Sequence, residues 1–279
     1  MIVSTTLSGL RRQIGDWKRC GQRIAFVPTM GNLHAGHLSL IARARNHADR
    51  VVASIFVNPM QFGPDEDLER YPRTLEQDRS ALQDSGCDLL YLPDETDLYP
   101  QGLDAITRVQ VPGITETLEG ENRPGHFDGV ATVVLKLFQR VQPDVAVFGK
   151  KDYQQWRMIE KMTADLDLPI DILAGETVRE ADGLAMSSRN QYLDSAQRAL
   201  APRLQQQLQW VSEQLRNGRR DFDALATEAA KELRQSGFTV DYIAIRERRE
   251  LSPPSANEPL VVLAAARLGN TRLIDNIEV

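Results

Sequence analysis

Cysteine is nearly missing from this sequence: Cys20 and Cys87 are the only two, far apart and without metal-ligand spacing. That excludes a disulfide framework and a cysteine-built metal site, and it fits a reducing compartment. No apolar run approaches the ~20 residues that a membrane helix needs. The opening stretch, MIVSTTLSGLRRQIGDWKRC, lacks the continuous apolar core of a signal peptide or anchor. Nor is there an excess of positive charge. A formal net charge of −6 argues against nucleic acid as the main partner, while leaving room for a local basic site that takes a small phosphate ligand. Internal repeats and low-complexity tails are absent as well, and LSPPSANEP reads as a plain loop. These absences lead us to expect a soluble, cytoplasmic protein with no membrane or nucleic-acid partner.

What is present is the composition of an ordinary globular chain, 42% apolar and 26% charged over 279 residues, enough for one large domain or two. Short apolar runs alternate with longer amphipathic ones. RIAFVPT, RVVASIFVN, CDLLYLP, PDVAVFGK and PIDILAGETV read as strands. HAGHLSLIARARNHAD, DLERYPRTLEQDRSALQDSG, GVATVVLKLFQRVQ and DYQQWRMIEKMTADLDL read as the helices between them. Strands that are apolar nearly throughout, alternating with helices, predict βαβ units and a parallel sheet covered on both faces. Ligands of such sheets bind at the carboxyl ends of the strands.

Past about residue 180 the pattern changes to helices followed by strands. Asp194 with Gln197 forms a capping-box pattern, Pro202 splits one helical stretch in two, and Gly237 closes the next helix. VDYIAIRE and LVVLAAARLGNTRLIDNIEV then read as strands, with a Gly269-Asn270 turn.

Histidine is scarce, four in all, yet His34 and His37 lie three apart in PTMGNLHAGHLSL. A strand ends there, Gly31 permits a tight turn, and a helix begins. The first N–H groups of a helix lack internal partners and face the positive end of its dipole, so anions bind there. Gly36 lets a ligand approach the backbone closely. The plain alternative is a pair of solvated histidines; a zinc protease needs His-Glu-x-x-His, which is missing. VFGKKDYQQW repeats the arrangement, with Lys150, Lys151 and Asp152 after a strand and Gln155 one turn along from Lys151. It is either a phosphate site or a solvated charged loop. GLAMSSRNQYL places two hydroxyls and Arg189 at the join between the halves. In FVNPMQFGPDEDLERYPR, Asn58 and Gln61 follow a strand, and the acidic run Asp65 to Glu69 reads as a solvated face. In RPGHFDGV, Arg123 and His126 either cap a helix or point into a cleft.

As an ordered set, PTMGNLHAGHLSL, SIFVNPMQFGP, ENRPGHFDGVATVV, VFGKKDYQQ and MSSRNQYL resemble the pantothenate synthetase (pantoate–β-alanine ligase) family. HAGH alone is similar to the broader His-x-Gly-His signature of nucleotidylyltransferases and class I aminoacyl-tRNA synthetases. The resemblance implies an α/β chain with a Rossmann-type parallel-sheet domain, 1–178, followed by a smaller α+β C-terminal lid domain, 179–279. It implies a homodimer that takes ATP, (R)-pantoate and β-alanine, with Mg²⁺ carried on the ATP phosphates and no firm protein ligand to the metal.

On the same resemblance, the pantoate carboxylate attacks the ATP α-phosphorus to give pantoyl adenylate and diphosphate, and the amine of β-alanine then displaces AMP. His34 and His37 are expected to meet the phosphates as donors or as imidazolium, with His37 a possible source of a proton and Lys151 bearing on the transition state. Met30, Gly31, Asn32, Leu33, Ala35 and Gly36 complete the first nucleotide loop. Gly149, Lys150 and Asp152 line it from the second, and Lys150 occupies a place that varies in the family. Val178 and Met186 are expected near adenine, and Ser187, Ser188 and Arg189 on the phosphates. Gln61 and Gln155, with Asn58 and Arg123, are the expected pantoate or β-alanine contacts. Three other readings remain open at this point: an aminoacyl-tRNA synthetase, a simple nucleotidylyltransferase, and a nucleotide sensor on the same fold.

Overall fold

Ala25 and Val145 face each other on neighbouring strands of the sheet, more than a hundred residues apart in the chain. The computed structural model describes residues 1–64, 66–255 and 258–279. Chain order is β1 (Ile2–Ser4), α1 (Leu7–Arg19), β2 (Ile24–Thr29), α2 (Ala35–Arg45), β3 (Arg50–Ile55), α3 (Leu75–Asp84), β4 (Leu89–Tyr91), α4 (Glu95–Leu98), α5 (Glu119–Asn122), α6 (His126–Val141) and β5 (Val145–Gly149). There follow α7 (Tyr153–Asp165), β6 (Asp171–Gly175), α8 (Ser195–Leu200), α9 (Arg203–Arg216), α10 (Phe222–Gln235), β7 (Thr239–Glu247), β8 (Leu260–Leu268) and β9 (Thr271–Glu278). Two compact units result: Met1–Lys150 with Met158–Glu176, and Lys151–Arg157 with Thr177–Val279.

The first unit carries a six-stranded parallel sheet in the order β1-β4-β3-β2-β5-β6. Strand β2 sits between β3, paired from Ile24↔Arg50 to Thr29↔Ile55, and β5, paired at Ala25↔Val145 and Phe26↔Ala146. The order reverses there, which opens a crevice beyond the carboxyl ends of β2 and β5. The strands are apolar on both sides because both faces are covered. On one face Ala25, Val27, Val51, Ala53 and Val147 pack on Leu40, Ile41 and Ala44 of α2. On the other, Phe26 and Phe148 meet Phe138 of α6 edge to face, with centroids 6.5 and 6.2 Å apart. Burial of each such ring contributes roughly 2–3 kcal/mol.

Where the sequence pattern predicted one helix over 67–86, only Leu75–Asp84 is helical. Pro72 forces its predecessor out of helical geometry, so the helix starts beyond it. Asp65, the first residue of the acidic run, lies outside the described residues, as do Ala256 and Asn257 of the LSPPSANEP loop.

The second unit stacks α9 and α10 on an antiparallel sheet ordered β7-β8-β9. Asp194 and Gln197 make the reciprocal capping box of α8, and α9 begins after Pro202. Leu204, Leu208, Val211 and Leu215 bury one stripe of α9 against Val262, Ala264 and Ala266. The nine-residue strands β7 and β8 carry a single register shift between Val240 and Tyr242.

Candidate functional site

The loop that leaves β2 is shaped by a residue from another element. Gly31 and Asn32 both adopt left-handed backbone, at φ +82° and +51°. Asp78 of α3, only 3% exposed, accepts the N–H of Asn32 at 2.9 Å and of Leu33 at 2.8 Å. The Thr74 hydroxyl lies 3.2 Å from Asp78 Oδ1 and 3.3 Å from Asn32 Oδ1. At Gly31 the φ favours glycine, and a Cβ there would also crowd Ile55 at 3.0 Å and the Asp78 carboxylate at 3.1 Å. Thr29 ties the loop to the neighbouring strand: its hydroxyl donates to the Ser54 carbonyl at 2.8 Å and accepts the Gly31 N–H at 3.2 Å.

His34 is the N-cap of α2, with extended backbone. Its Nδ1 accepts the Gly36 N–H at 3.1 Å, and Nδ1 of His37 accepts the His34 N–H at 3.3 Å. The two imidazoles thus form a reciprocal cap, with ring centroids 4.1 Å apart. In this arrangement Nδ1 is the acceptor on both rings, which places the ring N–H at Nε2. The N-terminal end of a helix carries the positive end of its dipole, so this donor set has the chemistry that suits an anion.

Beyond β3 a second cluster forms around Gln61. Asn58, 1% exposed, caps the 3-10 turn Pro59–Gln61. Its Nδ2 donates to Gln61 Oε1 at 3.1 Å, and Gln61 Nε2 lies 3.1 Å from Met30 Sδ. Met30 and Gln61, placed by the sequence in different motifs, are therefore neighbours. Arg123 is held by Glu66 at 2.6 and 2.7 Å and donates to His126 Nε2 at 3.0 Å. Burial works to raise the Glu66 carboxyl, but hydrogen bonding and charge from Arg123 outweigh it and hold the group below the usual range. Burial, then the Arg123 charge, push His126 down to about 4, so the ring is neutral.

At the end of β5, Lys150 pairs with Glu176 at 2.8 Å. Gly149 and Gly175 lie side by side, and a Cβ at Gly175 would sit 2.2 Å from the end of the Leu40 side chain of α2, which would have to shift.

The second unit holds the remaining candidates. The Lys151 carbonyl accepts Asn276 Nδ2 at 3.0 Å, and its ammonium lies 3.8 Å from Asp152. Tyr153 donates to Glu278 at 2.9 Å, and Gln155 follows on the first turn of α7. Val178 and Met186 meet across a short antiparallel bridge, with the Met186 N–H donating to the Val178 carbonyl at 3.0 Å. Ser187 caps the 3-10 turn Ser188–Tyr192, its hydroxyl accepting the Arg189 N–H at 3.2 Å. Arg179 grips the buried Asp275 at 2.7 and 3.0 Å; burial raises that carboxyl and Arg179 opposes it.

Sequence reasoning passed over Asp78, Thr74 and Tyr99, and it read Glu66, within the acidic run, as solvated face, whereas Arg123 draws it into a part-buried ion pair. The signal for Asp78 was its place four residues before Leu82, on the buried side of α3. Among the described residues no group of three or more His, Cys, Asp or Glu could hold a metal ion. No helix is long and apolar enough to cross a membrane.

Over residues 2–278 the chain matches the family model described as pantoate-beta-alanine ligase. It is 55% identical over 278 residues to the pantothenate synthetase of Xanthomonas euvesicatoria pv. vesicatoria, covering 98% of each chain. It is 54% identical over 277 residues to that of Aeromonas hydrophila subsp. hydrophila, covering 99% of this chain and 97% of the other. Among solved structures it resembles pantothenate synthetase from Thermus thermophilus, with TM-score 0.93 and 45% identity, covering 100% of this chain and 99% of that one. It also resembles the pantoate-beta-alanine ligase of Francisella tularensis complexed with beta-gamma ATP and beta-alanine, with TM-score 0.83 and 35% identity, covering 100% and 97%.

Proposed function

The chain belongs to the pantoate-beta-alanine ligase family, and on that premise we propose how its own residues carry the reaction. It is an enzyme that condenses pantoate with beta-alanine at the expense of ATP. In our reading the acid is (R)-pantoate, and one oxygen of its carboxylate attacks the ATP α-phosphorus. The bond from that phosphorus to the bridging oxygen breaks, diphosphate leaves, and pantoyl adenylate remains. The amine nitrogen of beta-alanine then attacks the acyl carbon, loses a proton, and expels AMP.

The observation that supports this best is the reciprocal imidazole cap at the start of α2, directly after the central strand β2. Its Nε2–H groups suit the phosphates, whose charge grows during adenylation. Met30, Gly31, Asn32, Leu33, Ala35, Gly36, Gly149, Lys150 and Asp152 serve ATP in the same reading. So do Val178 and Met186 at adenine, and Ser187, Ser188 and Arg189 at the phosphates. Lys151 offers charge to the transition state. Gln61 and Gln155 hold pantoate; Asn58 bears on the same substrate pair through its hydrogen bond to Gln61, and Arg123 is assigned beside them.

Both carboxylate oxygens of Asp78 are occupied by N–H and hydroxyl donors. In our reading Mg²⁺ rides on the ATP oxygens and keeps several waters of its own. We further infer a homodimer working in the cytoplasm, without nucleic-acid or membrane partners.

The test is exchange of labelled diphosphate into ATP with pantoate present and beta-alanine omitted. Exchange under those conditions, followed by AMP and pantothenate once beta-alanine is added, is the expected result. In Lys151→Ala, single-turnover adenylate formation slows by roughly 10²–10³-fold; a near-wild-type rate removes Lys151 from the mechanism.

A further inference from the structure

The Gln61 side chain is held by Asn58, which Tyr99 fixes in turn across 41 residues of chain, and the Gln61 main chain is held by His126 across 65. We infer that Tyr99 and His126 are positioning residues that clamp Gln61 so that its amide NH₂, not its carbonyl, is what it presents to the acid substrate. The inference rests on the reading of Gln61 as a pantoate contact.

The side-chain end runs through Asn58. A primary amide has two N–H donors and two lone pairs. Asn58 spends its donors on Gln61 Oε1 and on the Gly129 carbonyl, both at 3.1 Å. Its Oδ1 accepts the Tyr99 hydroxyl at 2.6 Å and the Met60 N–H at 3.4 Å. Asn58 is thereby saturated and acts through Gln61. Because Oε1 of Gln61 is already taken by a donor, Nε2 is the end left for a ligand. Its present neighbour, Met30 Sδ, is a weak acceptor that a carboxylate or hydroxyl oxygen displaces at little cost.

The main-chain end is fixed by α6. His126 Nδ1–H donates to the Gln61 carbonyl at 2.8 Å, and Arg123, donating to Nε2 at 3.0 Å, sets that tautomer. Three residues on, Gly129 brings the helix backbone against the turn; a Cβ there would lie 2.3 Å from the Met60 carbonyl oxygen. Tyr99, 3% exposed, supplies the one short bond to Asn58 Oδ1, and burial pushes its phenol up, which keeps it a donor. Loss of that hydroxyl leaves a buried acceptor with only the long Met60 contact.

The experiment compares Tyr99→Phe, His126→Ala, His126→Asn and Gln61→Ala, each checked for folding by thermal melting. Tyr99→Phe and His126→Ala are expected to raise KM for pantoate about tenfold, with KM for ATP and beta-alanine changed by less than about twofold. His126→Asn, which keeps a donor for the Gln61 carbonyl, recovers most of the loss. In the Gln61→Ala background neither change has a further effect, because both act through that amide. The Gln61 NH₂ pair in ¹⁵N–¹H spectra, assigned by its disappearance in Gln61→Ala, shifts or broadens in Tyr99→Phe and His126→Ala without any substrate. An unmoved NH₂ pair, or effects that multiply with Gln61→Ala, overturn the clamp. A moved pair with an unchanged pantoate KM in Gln61→Ala supports the clamp and overturns the substrate reading instead. If His126→Ala does not fold, Tyr99→Phe and His126→Asn decide the matter.

Discussion

The Asp78 carboxylate accepts the backbone N–H of Leu33 at 2.8 Å across 45 residues of chain. With the companion bond to Asn32, it fixes the loop that delivers His34 to the start of α2. Two charge-assisted bonds hold a loop containing a non-glycine residue in left-handed conformation. In Asp78→Ala that restraint is lost, and pantoate-dependent diphosphate exchange is expected to fall roughly 10–100-fold. Asp78→Asn turns one acceptor into a donor that faces an N–H, so it should do no better than alanine. Recovery of exchange in the asparagine variant would mean that the charge and both acceptors are unnecessary.

His34 combines two duties that substitution can separate. Asparagine is among the best N-caps and accepts the same Gly36 N–H, but it places no Nε2 donor beyond the helix end. His34→Asn should therefore melt at or above the wild-type temperature while adenylation slows by roughly 10²–10³-fold. His34→Ala should lose both, with stability down by about 1 kcal/mol. Calorimetry beside single-turnover kinetics distinguishes the two roles.

His126 makes stability depend on acidity. Burial first, and the Arg123 charge next, lower it from 6.5 to about 4, against the pull of the Gln61 carbonyl, Glu119 and Glu66. Below about pH 6.5 the unfolded chain binds a proton that the folded chain refuses until about 4. The contribution is whole above the unfolded value and fades as pH falls through that window, amounting to roughly 3 kcal/mol. Denaturation midpoints at about pH 7.5 and about pH 4.5 should therefore converge in His126→Asn relative to wild type. An equal acid sensitivity in the variant assigns the effect to other groups.

Metal removal should act on turnover alone. Among the described residues there is no acidic or histidine cluster of metal-binding size. Excess EDTA is thus expected to abolish product formation while leaving the melting temperature of the protein without substrates unchanged, and added Mg²⁺ restores activity. A drop in melting temperature on chelation would reveal a metal built into the fold.

What could be read in the sequence was whatever is local. The apolar runs Ile24–Thr29 and Val145–Gly149 marked their strands, and the Asp194–Gln197 box marked its helix start. The imidazole pair announced itself because both residues share one helical turn. Asp78 did not, since an aspartate in an acid-rich helix looks like solvated surface and its partners are the distant Asn32 and Leu33. Tyr99 was hidden for the same reason, its bond to Asn58 closing a gap of 41 residues. Lys150 was legible as a cation after a strand, while its ion pair with Glu176 was not, because it depends on β5 and β6 lying side by side. Contacts of this kind arise from strand order, which periodicity does not encode.

The position of β2 between β3 and β5 also governs how the chain is made. During synthesis the edge of β2 that faces β5 has no native partner until Val145 and Ala146 emerge, 120 residues after Ala25 and Phe26. A growing chain therefore carries an apolar strand edge that invites pairing with a neighbour. Completion of the first unit waits on distant parallel pairing, a slow class of folding event.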